Sequence, residues 1–397
     1  MLQFERHEYE ARLDAARRAM RELGLAGMLL FAPESHYYLT GYDTGGYVFF
    51  QCLVLTADGR KPVLLTRRPD LEQARITSII EDVRLWYDTE GGNPAVDLRE
   101  LCAELKLMGE KIGIELDNYG LTGANHARVA AAFAGFATLI DASALVRHLR
   151  IIKSPAEQAY VRRAAALADA SLLAQIAAAG PGVPEGEVHA AGHAAIYLEG
   201  GDVAAAGPVL GAGERALLSR TSTGFGVLKP VDQLTLEFAG AYRHYHACLM
   251  RTLAIGEATA RQRDMFEATR EALAAMTEAI VVGRPLGEID DAHRRVYDAR
   301  GYAHARYSAC GYSLGATYSP NWMDVPPMLY SGNPWPAAEG MVLFLHAILM
   351  DASTGYAMSA GYTVIVGAKG PEVLSQVPVE YQVCTGTAGF RGWAKGV

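Results

Sequence analysis

A chain of 397 residues, 50% hydrophobic and 20% charged, can build one large or two medium domains with buried cores, which excludes a disordered protein. The formal net charge of −8, with no Lys/Arg-rich run, offers no footprint for nucleic acid. No run reaches the roughly 18 apolar residues of a membrane span, residues 1–20 read as a charged amphipathic helix rather than a signal peptide, and five scattered cysteines without CxxC spacing fit free thiols, so a cytoplasmic protein with no membrane partner is expected.

Residues 5–23 are predicted helical. Residues 26–31 form a short apolar strand, and residues 47–55 and 62–65 two more, with a turn at Ala57-Asp58-Gly59 between them. Helical patterning comes next at 70–78, then a strand at 111–115 and a helix at 125–133. This alternation predicts an α/β domain. Residues 141–153 form a helical connector to the second half of the chain. Ser154-Pro155 then opens a helix with a cap and a proline at its first position, and Glu157 completes a capping-box pattern. This Ala-rich helix runs to about residue 179, where Gly180-Pro181-Gly182 ends it. A second spans about 185–198. Strand patterns at 233–238 and 242–255 come next, then helices at 260–281 and up to about 300, then strands at 341–350 and 356–366. The second part is predicted α+β. The boundary is placed near residue 150, giving domains at 1–150 and 151–397.

Several motifs resemble one family. Residues 150–157 (RIIKSPAE) are similar to the R-x-x-K-[ST]-x-x-E opening of the pita-bread catalytic domain of creatinase/prolidase-type hydrolases. Residues 237–256 (EFAGAYRHYHACLMRTLAIG) resemble that family's D-x-G-x(8)-D-x-x-R-T-x-x-x-G hairpin, with Arg251, Thr252 and Gly256 matching. Residues 311–315 (GYSLG) fall where the family has G-H-G-I-G, and residues 336–341 (PAAEGM) resemble its L-x-x-G-M. The resemblance covers nearly the whole chain. It implies a creatinase-like α/β N-terminal domain before a pita-bread domain, and a homodimer in which the Tyr42-Asp43 loop reaches the partner's site.

Metallopeptidases of this family hold two divalent metals with Asp, Asp, His, Glu and Glu. By motif position these fall on Glu237, Cys248, Tyr312, His346 and Gly361. Hard divalent ions want several oxygen ligands, and paired ions want bridging carboxylates. Only Glu237 remains a carboxylate, and residues 242–252 contain no other Asp or Glu. No metal and no cofactor are therefore expected. Creatinase and ectoine hydrolase share such losses. The ectoine hydrolase likeness is the closer: residues 114–119 (IELDNY), 237–246 (EFAGAYRHYH), 311–322 (GYSLGATYSPNW) and Thr40-Gly41-Tyr42-Asp43 all resemble its motifs. One departure is Ser219, at the place of the relatives' proton-transferring histidine; another is Gly361, where they keep an acidic residue.

The candidate catalytic residues are Glu237 and His246. A carboxylate on an inner strand between Leu236 and Phe238 is partly desolvated, which raises its pKa into the acid–base range. The alternative is a buried glutamate satisfied by nearby donors. His244, His246, Cys248 and Met250 share one strand face by their period of two, which makes His246 a candidate proton shuttle and His244 a turn residue. Cys248 is a buried filler of a vacated ligand position or, with a nearby imidazolium, a nucleophile. A single rebuilt zinc site from Glu237, His246, Cys248 and His346 is a rival arrangement. Tyr42, Asp43, Tyr312, Trp322, His346, Cys248 and Ser219 are the candidate substrate-binding residues, with aromatic rings to enclose a small cation. Core packing is the alternative for each aromatic ring and for His346.

The function expected is metal-independent hydrolysis of a C–N bond in a small zwitterionic or amidine-containing substrate, as in ectoine hydrolase. Two rivals stand beside it: a binding protein on a degenerate peptidase fold, and a metal-dependent Xaa-Pro dipeptidase.

Overall fold

The computed structural model describes residues 2–221 and 226–386. The chain forms two compact units, Met1–Arg150 and Ile151–Val397. In the first, α1 (Arg6–Glu22) leads to β1 (Gly27–Leu30), α2 (Pro33–Thr40), β2 (Cys52–Thr56), β3 (Val63–Arg67), α3 (Leu71–Thr77), β4 (Asp82–Trp86), α4 (Pro94–Glu104), β5 (Lys111–Ile114), α5 (Gly123–Phe133), β6 (Thr138–Asp141) and α6 (Ala144–Arg150). The six strands make one mixed sheet, ordered β4-β3-β2-β1-β5-β6. Strands β1 and β2 are buried at every position, which is why they read as apolar runs rather than alternations. Leu98, Leu101, Val129 and Phe133 from α4 and α5 close one face against Leu29, Val54 and Ile112.

Glu115, just after β5, explains the IELDNY motif in structural terms. Its carboxylate is buried and accepts from the Phe31 and Ala32 amides, each at 2.8 Å, and from the Ser35 hydroxyl. It thereby satisfies backbone donors at the start of α2 that the helix itself cannot pair.

The strand predicted over 47–55 is only half present. Gly46–Val48 is a 3-10 turn, and β2 begins at Cys52. The Thr44 hydroxyl donates to Asp70 at 3.0 Å and accepts the Gly46 amide at 2.8 Å, which folds the chain into a turn before the strand starts.

In the second unit the elements in chain order are α7 (Pro155–Ala178), α8 (Glu185–Leu198), β7 (Val209–Ala212), β8 (Asp232–Tyr242), β9 (Tyr245–Ile255), α9 (Ala260–Glu278), α10 (Gly287–Ala299), β10 (Ala309–Leu314), β11 (Met323–Tyr330), β12 (Val342–Asp351), β13 (Tyr356–Gly367), β14 (Gly370–Val373) and β15 (Val383–Cys384). Seven strands run β11-β10-β12-β13-β9-β8-β7, with β14 on β13 and β15 on β9. Helix α7 packs on β8 and β9, α9 on β12 and β13, and α10 on β10 and β11. Among the described residues no helix is long and apolar enough to cross a membrane. All five cysteines are free and buried.

The opening motif of this unit is a set of tethers. Ser154 and Glu157 form the predicted capping box of α7. The Glu157 carboxylate also accepts the buried Tyr245 hydroxyl at 2.8 Å, tying the helix start to the β8–β9 hairpin. Lys153 is buried and pairs with buried Asp324 at 3.3 Å. Its ammonium also donates to the Ser313 hydroxyl at 3.4 Å.

Candidate active site

The β8–β9 ladder decides which side chains meet. Glu237 pairs with Met250, Ala239 with Cys248 and Ala241 with His246. Paired residues of an antiparallel ladder share a face, as do residues two apart. Glu237, His246, Cys248 and Met250 therefore occupy one face, and Arg251 the other. The row continues outward, because Met250 pairs with Gly361 and Gly361 with His346. Tyr312 pairs with Phe344 in the adjoining row. The five motif positions Glu237, Cys248, Tyr312, His346 and Gly361 are thus brought together on one sheet face.

Their contacts are specific. The Tyr312 hydroxyl donates to Glu237 Oε1 at 3.4 Å and accepts the Trp322 indole N–H at 2.8 Å. Burial pushes the Glu237 carboxyl up to about 7, opposed by the Arg220 guanidinium and by the Tyr312 hydrogen bond. The Cys248 thiol is pushed well up by burial and by the neighbouring Glu237. It stays protonated, which removes it as a thiolate nucleophile. The His346 ring lies 5.7 Å from the Tyr312 ring and 5.5 Å from Phe344. Burial lowers its pKa to about 4, so it is neutral, and its Nδ1 is buried without a hydrogen-bond partner.

His246 corrects the expectation of a proton shuttle. It is 1% exposed. Its Nε2 accepts the Ala205 amide at 2.9 Å, which leaves the proton on Nδ1, donated to the Thr317 hydroxyl at 3.2 Å. Burial holds its pKa near 4. Both nitrogens are spent on holding two loops, so His246 positions the site rather than moving protons. The same contacts rule it out of a rebuilt zinc site.

Tyr42 is also a correction. It is fully buried inside the first unit, its ring 6.0 Å from His36, and its hydroxyl is enclosed beside Thr44, Gln51 and Thr66. It offers no group to a substrate. Asp43 is half-buried, with its amide donating to Thr77 at 3.2 Å and its carbonyl accepting Gln73 at 2.7 Å. Ser219 lies in an exposed turn. Arg243 and His244 both take positive φ, 50° and 64°, at the hairpin tip, as a two-residue turn of this hand requires. His244 stacks on Tyr318 at 4.2 Å, adding to the turn role expected of it.

Four residues at this site escaped the sequence reading: Arg220, Thr317, Phe344 and Thr363. Thr363 takes the Cys248 amide at 2.8 Å and returns its hydroxyl to the Cys248 carbonyl at 3.0 Å. Phe344 is the most telling. A Cβ added at Gly361 would lie 2.6 Å from the Leu345 carbonyl oxygen and 3.0 Å from the Phe344 ring. The direction a ligand side chain would take from position 361 is already filled. Period-two spacing from His346 could have shown that Phe344 shares its face.

These donors do not fit a pair of divalent metals. Tyr312 is committed to Glu237 and Trp322, Cys248 holds its proton, and Gly361 has neither a donor nor room for one. Among the described residues no group of three or more His, Cys, Asp or Glu side chains is placed to hold a metal ion.

Comparison with known proteins completes the picture. Residues 159–373 match the metallopeptidase family M24, and residues 12–152 match the creatinase/prolidase N-terminal domain. The chain belongs to the M24 family. It is an M24 hydrolase of the creatinase/prolidase type, with a pita-bread second unit. An ectoine hydrolase from Halomonas elongata is 25% identical over 395 residues, covering 95% of this chain and 97% of that protein. A Sinorhizobium fredii protein described only as a hydrolase/peptidase is 27% identical, covering 96% and 99%. Among solved structures, a prolidase from Thermococcus sibiricus superposes with a TM-score of 0.85 at 20% identity, covering 94% of this chain and 99% of that one. A Bacillus anthracis Xaa-Pro dipeptidase gives 0.81 at 23%, covering 94% and 99%. These likenesses establish the shared M24 fold.

Proposed function

We propose that this M24 protein hydrolyses a C–N bond of a small zwitterionic or amidine-containing molecule, as ectoine hydrolase does, with Glu237 in place of the metal pair. The observation that carries this reading is the Glu237–Tyr312–Trp322 chain, which replaces metal ligands with a hydrogen-bonded carboxyl whose pKa lies near 7. A carboxyl at that pKa both takes and gives protons near neutrality. The Glu237 carboxylate removes a proton from water as the water oxygen bonds to the substrate's N–C–N carbon. The resulting carboxyl then returns that proton to the departing nitrogen as the C–N bond breaks. Tyr312 steadies the carboxylate through its hydroxyl. The ring faces of Tyr312 and Trp322 suit a delocalised cation, and neutral His346 extends the same wall. The likeness to the Halomonas elongata protein along nearly its whole length supports the substrate class. The reading includes a homodimer in a reducing cytoplasm, which light scattering and thiol titration of the purified protein check.

Metal-stripped protein should open the ring of ectoine or 5-hydroxyectoine, followed by NMR, with Glu237→Gln inactive. Cleavage of Xaa-Pro dipeptides that appears only with added Mn²⁺ would instead favour the peptidase reading. Identical behaviour of wild type and Glu237→Gln on every substrate would leave a binding protein.

A further inference from the structure

The proposed substrates carry a carboxylate as well as a cationic N–C–N group, and Glu237 answers only the cation. Several cations of this unit are committed elsewhere. Lys153 is buried against Asp324. Arg251 points to the opposite face and donates to the carbonyls of Met250 and Gly361. Arg215 is paired with Glu185. Arg243 donates to the Tyr160 hydroxyl. Arg220 differs from all of these. It is exposed, and among the described residues it has no ion pair or hydrogen bond.

Its place on the sheet is set by one glycine. Gly211 of β7 pairs with Thr235 of β8, two residues before Glu237, so Gly211 and Glu237 face the same way. A Cβ at Gly211 would collide with the Arg215 carbonyl and the Thr221 methyl group. Residues 215 and 221 therefore lie over β7 on Glu237's own face, and they bracket Arg220. Independently, Arg220 is, among the described residues, the one cation whose charge bears on the Glu237 carboxyl.

We infer that Arg220 is the substrate-carboxylate anchor of this site, so that the cleft selects molecules bearing a carboxylate close to a cationic amidine or guanidine. This rests on the reading of Glu237 as the group that meets the cation. A guanidinium binds a carboxylate through two parallel N–H donors, which also fixes the direction in which the cation is presented. It lies at the rim, where water competes, so it contributes selectivity and orientation more than bulk affinity.

Two matched pairs of ligands test this: ectoine against 2-methyl-1,4,5,6-tetrahydropyrimidine, and creatine against N,N-dimethylguanidine. In each pair only the carboxylate-bearing arm differs. Calorimetric Kd, or kcat/KM where a ligand is turned over, is measured for wild type, Arg220→Gln and Arg220→Lys. The expected result is a ~10- to 100-fold loss in Arg220→Gln for the carboxylated member, little change for its partner, and partial recovery in Arg220→Lys. An equal loss for both members, or none for either, overturns the anchor while the proposed function stands. Should wild type bind no member of either pair, the substrate class itself fails, and the anchor fails with it.

Discussion

Glu237 binds more protons folded than unfolded between its ordinary pKa of 4.5 and about 7. Stability from this group is therefore fully present below pH 4.5 and is lost as pH rises through 7. Glu237→Gln removes that loss. Thermal melts at pH 8 should show the variant more stable than wild type, while turnover falls by ~100-fold or more. Wild-type kcat/KM should rise with pH through about 7, because the charged form takes the proton from water. Gly361 gives a second residue-scale expectation. Gly361→Ala forces the Leu345 carbonyl and the Phe344 ring aside, at a cost of about 1–3 kcal/mol in denaturant unfolding. His246 was legible as a member of the Cys248 face from spacing, a face that the family resemblance joined to Glu237. Its role was not, because the amide of Ala205 and the hydroxyl of Thr317, which occupy its nitrogens, come from 41 and 71 residues away in sequence.

Among the elements, α7, α8, β8, β9, α9 and β12–β13 were readable because caps, glycine stops and long apolar periods mark them locally. Helix α8, read at about 185–198, spans Glu185–Leu198. Strands β7, β10 and β11 were not read: β7 has only four residues and β10 six, and Pro326-Pro327 interrupts the strand pattern of β11. The RIIKSPAE motif was recognised but not explained; the structure shows it to be two tethers, Lys153 to Asp324 and Glu157 to Tyr245. The first supports the segment that delivers Trp322. Lys153→Met alone takes away the cation paired with the buried Asp324 charge and should cost about 3–5 kcal/mol. Adding Asp324→Leu removes that charge. Recovery of most of the loss in the double variant, read by urea unfolding, is the expected outcome; a double variant weaker than the single one would contradict it.

For the whole molecule, acid is the vulnerability. His36, His189, His246 and His346 all have their pKa lowered to about 4, chiefly by burial. Unfolding lets each bind a proton between its ordinary pKa of 6.5 and 4, so the stability they represent is lost as pH falls through that window. Glu237, Glu115 and Asp97, all raised chiefly by burial, work in the opposite sense, but the four histidines outnumber them. Melting temperature should fall steadily from pH 6.5 to 4.5, and His346→Asn should flatten part of that slope. The fold itself could be read from motif order along the chain. The substrate could not, because it depends on which side chains are left uncommitted once the loops have closed.

The Phe344 ring beside Gly361 also bears on how this chain relates to its metal-using kin. A glutamate restored at 361 alone would strike that ring, and a smaller residue at 344 alone would leave a hole without a ligand. On the proposed reading neither single step makes a metal site, and each on its own costs stability. On the proposed metal-free reading, packing alone closes position 361 to a ligand side chain, through a ring and a carbonyl rather than through the donors themselves.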